Sequence, residues 1–570
     1  MTDQRNMIIA VLLSFIILVG YEYFFARQDQ PQTGVQTGET RDTDAGAPGA
    51  DSGLTAPRAG NAAAIPVEEA TTAGVPRIRI ASERLSGSLT LTGGRIDDLL
   101  LSDYHQTVDK TSPPVRLLSP TGTEHPYFAE FGWVAAAGTS PALPGPDAVW
   151  QASGNELAPG RPLTLTWDNG QGLTFRRTFS LDDDYMFTVT QTVENTSGAP
   201  VELAPYGRIA RSDIPKSRAT YILHEGPVGV VDGVLKELSY DDLEDDGAQT
   251  FDTQGGWLGI TDKYWLTALI PAQDERVTGG ARHSLADGTD RYQTDVLYTT
   301  RMIPAGGSVS VTSRLFAGAK EVDLIENYED RLGIQKFDLS IDWGWFRFLT
   351  KPIFHALDLL KGLLGNFGLA ILALTVVIRL LFFPLANKQF TAMSKMKKLQ
   401  PKMKELQERY KDDRAQQQQE LMKLYKEEKV NPASSCLPIF IQIPVFFCLY
   451  KVLYITIEMR HAPFYGWVHD LSAPDPALWL TGFGLVPWDV PQFLAIGVWP
   501  VLMGLSMFLQ QRLNPQATDP TQQKIFAFMP VIFTFMLAQF PVGLVIYYTW
   551  SNLLTMAQQW VILKRVERQR

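Results

Sequence analysis

Cysteine is scarce in this sequence: only Cys436 and Cys448 occur among 570 residues, and both lie in one apolar run. Twelve residues of helix would separate them by about 18 Å, which is too far for a disulfide between them. The long acidic segment has no cysteine, so its fold cannot depend on disulfides. No C-x-x-C or Cys/His cluster suggests zinc. The sequence therefore predicts neither a metal site nor a cofactor.

Positive charge is depleted in one long part of the chain. Residues 28–345 contain 25 Lys+Arg and 45 Asp+Glu, whereas the remaining residues contain 26 and 16. The overall net charge of −10 therefore conceals an acidic segment and a basic, mostly apolar remainder. Such a division indicates that the two parts face different compartments.

The beginning of the sequence is nearly all apolar over residues 7–25, long enough to span a bilayer. A cleaved signal peptide is the alternative. Against it, the run ends in aromatic residues suited to a membrane interface, and Phe24 stands where a cleavage site requires a small residue. We expect an uncleaved transmembrane anchor at residues 1–27. Residues 28–76 have few large apolar side chains, which predicts a disordered periplasmic linker.

Short strands with a period of two follow. The stretches beginning at Leu173 and Tyr185 alternate apolar and polar residues, and Asp182-Asp183-Asp184 joins them as a turn. Similar stretches with Gly-rich breaks recur through this segment. They predict one large antiparallel β-sandwich, the periplasmic domain, at residues 77–340.

The pattern changes at residues 341–364. Arg347, Lys351, His355, Asp358 and Lys361 recur three or four residues apart on an otherwise apolar helix. One polar face of this kind favours an amphipathic helix lying on the membrane surface. The alternative is a helix packed on the sandwich.

Five further apolar runs follow the amphipathic segment, and the anchor brings the expected transmembrane helices to six. The runs cover residues 367–386, 437–457, 492–509, 525–540 and 542–563. The loop at 387–432 holds 12 basic residues and the tail at 564–570 is basic, whereas the loop at 458–491 holds only Arg460. The positive-inside rule then places both termini in the cytoplasm and the acidic domain in the periplasm.

Arg379 is the candidate functional residue within these apolar runs. Burying a guanidinium in a bilayer costs about 2.5–3.5 kcal/mol on insertion scales. Snorkelling to the interface is the alternative, but Arg379 lies about 10 Å of helix rise from Asn387 at the cytoplasmic end. We favour an arginine that faces a wet cavity. The five later runs contain no acidic residue, which argues against an ion-coupled pump.

Other polar residues of the runs are candidates for the same cavity: Thr375, Gln442, Tyr548 and Asn552. Hydrogen bonds between helices are the alternative for each of them. Lys451 is expected in the outer half of its helix, where it could snorkel outward, and its role is unassigned.

The basic loop at 387–432 predicts a helical hairpin. Phe390, Met393 and Met396 begin an apolar stripe at spacings of three and four, and Pro401 is expected to kink the first arm. Met-rich surfaces adapt to varied partners, although such a stripe is more often core. The basic charge suits anionic lipid or ribosomal RNA, with a solvated face as the default.

Several ordered stretches resemble the YidC family of membrane protein insertases, in its Gram-negative form with a large periplasmic domain. They include the Arg379 run ending in Phe383-Pro384-Leu385, Cys436-Leu-Pro-Ile-Phe-Ile-Gln-Ile-Pro444, and the stretch from Gly543 to Asn552. The resemblance covers residues 345–563 in order. It implies a membrane α-helical bundle of six transmembrane helices, five of them forming an insertase core at 365–563, beside a β-sandwich similar to sugar-binding β-supersandwiches.

The resemblance also implies a mechanism. A hydrophilic groove, open to cytoplasm and lipid, carries the positive charge of Arg379, and substrate helices leave along the third and fifth membrane segments. That implied sliding surface consists of Ile443, Pro444, Phe528 and Phe533. The implied partners are nascent membrane proteins, the Sec translocon, the ribosome and targeting factors at the hairpin, and membrane lipid, without a specific nucleic-acid sequence.

The predicted function is thus that of a membrane protein insertase and chaperone in the bacterial inner membrane, not an enzyme. One alternative is a membrane-tethered periplasmic protein that binds or modifies carbohydrate. Its candidate residues, His105, His125, His224 and His283, have no neighbouring carboxylate in a recognisable motif, so scattered surface histidines are favoured. A transporter is disfavoured by the missing intramembrane carboxylates.

Overall fold

The computed structural model describes residues 66–72, 74–136, 141–212, 223–286, 288–411, 413–428, 437–478, 481, 495–513 and 520–568. The predicted anchor and most of the predicted linker lie outside these residues, as does Cys436. The end of the linker differs from the prediction of disorder. Residues Val67–Thr72 form helix α1, in which Ala70 is buried.

In the described part of the chain, twenty strands form two sheets, of eleven and nine strands. All strand pairs among these twenty strands are antiparallel except β1 with β7. The predicted antiparallel, sandwich-like β domain is therefore confirmed. The strands are β1 Arg77–Ala81, β2 Leu85–Thr90, β3 Arg95–His105, β4 Pro114–Leu118, β5 Tyr127–Ala135, β6 Gln151–Ala152, β7 Glu156–Leu157, β8 Leu163–Asp168, β9 Leu173–Leu181, β10 Met186–Asn195, β11 Val201–Ser212, β12 Gly226–Val231, β13 Val234–Glu237, β14 Gln249–Gln254, β15 Trp257–Thr261, β16 Trp265–Ile270, β17 Arg276–Ala286, β18 Thr289–Tyr298, β19 Arg301–Ile303 and β20 Ser308–Ala319.

The β9–β10 hairpin shows why the alternating stretches become strands. Every second residue of β9 is buried, because successive side chains of a strand point to opposite faces of the sheet. The carboxylate of Asp182 accepts hydrogen bonds from the backbone N–H groups of Asp184 and Met186, at 3.0 and 2.9 Å. That bonding closes the turn between the strands, as the sequence predicted.

Charged residues lie buried on the larger sheet and are paired across neighbouring strands. The Glu130 carboxylate on β5 accepts from Arg95 at 2.6 Å, from Arg208 at 3.0 Å and from the Tyr206 hydroxyl at 2.9 Å. Burial by itself would raise the pKa of Glu130, but Arg208 and Arg95 lower that pKa to about 2. The buried guanidinium groups are thereby neutralised within the sheet.

The helices after α1 follow in chain order, and the first two of them belong to the β domain. They are α2 Tyr240–Asp245, α3 Val322–Leu332, α4 Arg347–Leu364, α5 Phe367–Leu381, α6 Phe383–Arg409, α7 Arg414–Glu427, α8 Leu437–Ile455, α9 Val498–Leu513, α10 Pro520–Leu537 and α11 Val542–Arg568. Within the described part of the chain, no single helix is both long and apolar enough to cross a bilayer. One pair bent by 119°, Arg347–Leu364 with Phe367–Leu381, meets those criteria together.

The bounds of α5 and α6 differ from the predicted run at 367–386. Helix α5 ends at Leu381, Phe382 forms its C-terminal cap, and α6 begins at Phe383. The reason is Pro384 in the first turn of α6, where a proline lacking an N–H group is tolerated. Helix α6 continues through Pro401, where the sequence predicted a kink. Helices α6 and α7 pack against each other through a small apolar cluster, whose buried residues are Leu399 and Met403.

Helix α4 contacts the β domain with the first turns of its polar face. Arg347 and Lys351 both donate to the carboxylate of Asp338, and Lys351 also lies 2.8 Å from Glu326 on α3. These first turns of α4 therefore pack on the β domain, which was the alternative to a helix lying on the membrane surface. On the exposed side of the helix lies an apolar surface that includes Phe348, Leu359 and Leu363. A location at the membrane surface stays a prediction.

Lys451 is not a snorkelling residue, which corrects the expectation from the sequence. Its side chain is 4% exposed, and its ammonium nitrogen lies 2.7 Å from the Asp342 carboxylate. Asp342 belongs to the segment that connects the β domain to α4. Lys451 therefore holds α8 against that segment through an ion pair.

Further contacts hold the β domain against the helical region, and three of them illustrate their chemistry. The Glu458 carboxylate accepts from the Val322 N–H at 2.9 Å, and Arg460 donates to the carbonyl of His105 at 2.6 Å. The Lys263 ammonium lies 3.6 Å from the centre of the Tyr454 ring. The two regions thus meet through polar contacts spread over several elements.

Candidate functional site: a polar cluster around helix α11

Arg379 lies in the last turn of α5, whose start is fixed at the opposite end. The Asn366 side chain caps the helix by accepting from the Leu369 N–H at 3.1 Å. The following residues bury one apolar side, and the helix then places Arg379 next to α11. An N-terminal asparagine cap and an apolar stripe therefore determine where the guanidinium lies.

The guanidinium of Arg379 bonds to neutral groups of α11. It donates to the Ser551 hydroxyl and, at 3.3 Å, to the Ser551 carbonyl. The Gln558 amide donates back to the Arg379 carbonyl at 3.4 Å. Among the described residues, no carboxylate forms an ion pair with Arg379. Its positive charge is therefore held by dipoles and not cancelled.

Gln442 and Asn552 take part in further polar contacts of α11. Gln442 on α8 donates to the Tyr547 hydroxyl at 2.7 Å. Asn552 donates to the Ser506 hydroxyl on α9 at 3.0 Å. Ser506 in turn donates to the carbonyl of Met503 at 2.7 Å. Helix α11 is thus the shared element that brings polar side chains of α5, α8 and α9 together.

The two remaining candidates of the predicted cavity play other parts. The Thr375 hydroxyl donates to the carbonyl of Ile371 at 2.6 Å within its own helix, and its side chain is buried. Tyr548 packs edge-to-face against Phe446 with ring centres 5.3 Å apart. No described hydrogen bond joins Thr375 or Tyr548 to Arg379.

Tyr547, Ser551 and Ser506 also belong to the polar cluster, although the sequence did not predict them. Tyr547 and Ser551 are an i, i+4 pair that lies one residue before the predicted residues Tyr548 and Asn552, so helical spacing alone could have identified them. Ser506 offered no such signal, because a serine in an apolar helix is an ordinary feature. Its role depends on how α9 lies against α11.

The implied sliding surface is only partly exposed. Ile443 is 57% exposed and Phe528 is 64% exposed. Pro444 is half-buried. Phe533 is also half-buried and packs against a cluster formed by Met503, Leu537 and Val545. The four residues therefore do not form one exposed stripe in this structure.

Two family models match consecutive parts of the chain. The YidC periplasmic domain matches residues 77–356, and the 60Kd inner membrane protein family matches residues 359–569. The boundary between the two lies within α4. Together they cover the β domain and the helical region.

Named relatives match nearly the whole chain. A membrane protein insertase YidC of Methylorubrum extorquens is 49% identical over 99% of this chain and 95% of its own length. One of Bradyrhizobium diazoefficiens is 47% identical over 99% and 97%. A solved structure of an active YidC insertase with its first transmembrane domain resolved covers 86% of this chain and 95% of that chain, at 19% identity and a TM-score of 0.35.

The sequence relatives, not the structural overlap, carry the assignment. They confirm the predicted insertase function, including its class as a non-enzymatic activity, and they do not favour the carbohydrate-related alternative. The inner-membrane location is confirmed at the level of the family. The chain belongs to the YidC family of membrane protein insertases.

Proposed function

We propose that this chain moves hydrophobic segments of nascent proteins from the cytoplasm into the inner membrane along the polar cluster of α5, α8, α9 and α11. The observation that supports the proposal is the uncancelled charge of Arg379 against Ser551. In a low-dielectric region a cation of this kind attracts acidic or polar peptide segments. Such attraction lowers the barrier to moving those segments away from water.

The proposed groove differs from an ion pathway. Among the described residues, the hydrogen-bond partners at the cluster are hydroxyls, amides and carbonyls. Proton or cation transport generally uses carboxylates within the membrane. Neutral hydrogen-bonding groups can instead exchange partners with a passing polypeptide backbone at little electrostatic cost.

We further propose the topology that the charge distribution supports. Six transmembrane helices, with both termini and the basic hairpin in the cytoplasm, place the acidic β domain in the periplasm. The exposed apolar side chains of α10, among them Ile525, Val531 and Ile532, suit contact with lipid or with a departing substrate helix. Ile443 and Phe528 are the exposed residues for the sliding surface.

The hairpin of α6 and α7 is the proposed docking element for cytoplasmic partners. It carries most of the basic residues of the loop at 387–432. Basic side chains suit the ribosome and anionic lipid. Nascent membrane proteins are the proposed substrates, and the Sec translocon and targeting factors are proposed partners, with chaperone activity at the same surface.

Depletion of the protein tests the function. A short substrate similar to a phage coat protein, with two hydrophobic segments and a polar stretch between them, should remain exposed to protease on the cytoplasmic side after depletion. Normal insertion of this substrate in depleted cells would contradict the proposal.

Variants of Arg379 then test the groove. Insertion should fall more strongly in Arg379→Ala than in Arg379→Lys, because lysine retains the charge. Arg512→Ala provides the matched control, since Arg512 is a cation of the same region that lies 4.6 Å from the Phe508 ring instead. Equal insertion by wild type, Arg379→Ala and Arg379→Lys would remove Arg379 from the mechanism.

Crosslinks from Gln442 and Asn552 to a stalled nascent chain would locate the substrate directly.

A further inference from the structure

A cluster of potential metal ligands lies in the β domain, far along the chain from the polar cluster. Glu244 comes from α2, His283 from β17 and Asp290 from β18. Their nearest ligand atoms all lie within 4.8 Å of one another. The histidine was among the four that the sequence left without a carboxylate motif, because Asp290 and Glu244 reach it only through the fold.

The surrounding structure fixes the three residues in place. Helix α2 starts with a capping box in which Ser239 and Asp242 exchange hydrogen bonds. Tyr240 and Leu243 of that helix then pack against Ala281 and Tyr292 of β17 and β18. The site is thus positioned by a capped helix on a paired hairpin.

The two closest ligand atoms are hydrogen-bonded to each other and are close enough to share one ion. Nε2 of His283 lies 2.9 Å from Oδ1 of Asp290. Two ligands at about 2.0–2.1 Å from a tetrahedral Zn²⁺ are separated by about 3.3–3.4 Å, so a small rotation of either side chain would allow both atoms to bind one ion. The Tyr292 hydroxyl also donates to the Glu244 carboxylate. Such a hydrogen bond orients a carboxylate ligand and is common behind metal sites.

The charge of the cluster also favours a cation. Glu244 and Asp290 supply two negative charges, and no lysine or arginine in the described part of the chain forms an ion pair with either carboxylate. A second cluster, formed by Asp323, Glu326 and His355, has comparable spacing. There, however, the Lys351 ammonium already lies 2.8 Å from Glu326 and competes with any metal ion.

We propose that Glu244, His283 and Asp290 bind one divalent transition-metal ion, with Zn²⁺ as the best-matched class. One imidazole and two carboxylates are ligand types that Zn²⁺ accepts, and water would complete the coordination. The bound ion ties α2 to the β17–β18 hairpin. This site goes beyond the insertase activity and departs from the sequence expectation of no metal.

Titration of the full-length protein in detergent with Zn²⁺ alone tests the proposal, after removal of metals with a chelator. The expected result is one equivalent bound to the wild-type protein and a rise in the unfolding temperature of the β domain. His283→Ala should weaken binding at least tenfold and abolish that rise. Asp290→Asn should also weaken binding, and it retains a side-chain oxygen near His283, so it guards against a folding defect.

Two matched controls locate the ion. His355→Ala removes the histidine of the competing cluster, and His125→Ala removes a histidine that is 61% exposed. Both variants should bind Zn²⁺ as the wild type does. The proposal is overturned if the wild type binds no Zn²⁺, if His283→Ala binds it unchanged, or if His355→Ala is the variant that loses the equivalent. Any of these results would leave the three residues as a hydrogen-bonded contact between α2 and the hairpin.

Discussion

The two regions of this protein treat an arginine that is buried or half-buried in opposite ways. In the β domain, Arg95 and Arg208 share the carboxylate of Glu130. In the helical region, Arg379 faces the hydroxyl and carbonyl of Ser551. Separating a buried ion from its partner is costly. The sheet therefore uses its charges for its own fold, whereas the helical region leaves one charge available to another molecule.

The contrast does not reflect an inability of the helical region to pair a cation. Lys451, also on an apolar helix, is paired with Asp342 from the connecting segment. Nor are all arginines of the sheet directly paired, since Arg177 donates to the carbonyls of Gly93 and Gly94 and stacks over Trp150. Even there, the nearby charge of Glu130 acts on the Arg177 guanidinium. Arg379 differs in having dipoles alone among its described partners.

The largest expected effect comes from breaking the paired region. Glu130→Ala leaves two buried guanidinium groups without their carboxylate, which should destabilise the β domain by about 3–5 kcal/mol. Thermal unfolding of the full-length protein should show the loss. Glu194→Ala is the control, because it removes the partner of Arg176 in a pair whose side chains are 39% exposed. Its cost should stay below about 1 kcal/mol, and equal losses in the two variants would contradict the comparison.

Glu458 resembles Arg379 with the opposite charge: among the described residues, neither side chain forms an ion pair. Burial, together with the neighbouring charges of Glu321 and Asp323, raises the pKa of Glu458 to about 7, although the Val322 N–H donor opposes that rise. Because this pKa exceeds the unfolded value of 4.5, the folded state binds the proton more tightly. The resulting stability is fully present below pH 4.5 and is lost as the pH rises through 7.

Glu458→Gln should abolish this pH dependence, whose full size is up to about 3 kcal/mol. Unfolding temperatures measured at pH 5.5 and pH 8 provide the test, with Glu124→Gln as an exposed control. The wild type should lose stability between the two pH values by more than Glu458→Gln does. If both lose the same amount, protonation of Glu458 does not contribute to the contact with α3.

A smaller effect is expected at the junction of the two regions. Asp342→Ala removes the carboxylate from the Lys451 ammonium, and a hydrogen bond to a charged group contributes about 1.5–3 kcal/mol. Amide hydrogen exchange should therefore accelerate in the segment before α4. Asp358→Ala, which breaks an exposed pair with Lys361 at 4.0 Å, should leave this exchange unchanged. Unchanged exchange in Asp342→Ala would show that the ion pair does not hold the junction.

The sequence predicted the parts of this structure that depend on local patterns. The alternation of apolar and polar residues identified the strands around Asp182. The scarcity of charged residues in the apolar runs identified Arg379 as a candidate. The sequence could not predict the partner of Lys451 or the approach of Glu244 to His283, because Asp342 and Glu244 are distant in sequence and meet these residues only through packing. For the same reason, Ser506 could not be assigned from helix spacing.

The smallest expected effect concerns Arg379 of the helical region, which has no described carboxylate partner. Ser551→Asp would give Arg379 the carboxylate that the β domain gives its arginines, and this should cancel the charge offered to a substrate. Insertion of a client with an acidic segment should fall about tenfold, or 1.4 kcal/mol, while a client with a neutral segment should be far less affected. Ser551→Asn changes size and polarity without adding charge and should retain most of the acidic client's insertion. If the two variants impair both clients equally, shape and not charge governs the groove, and the contrast between the two regions would have no bearing on insertion.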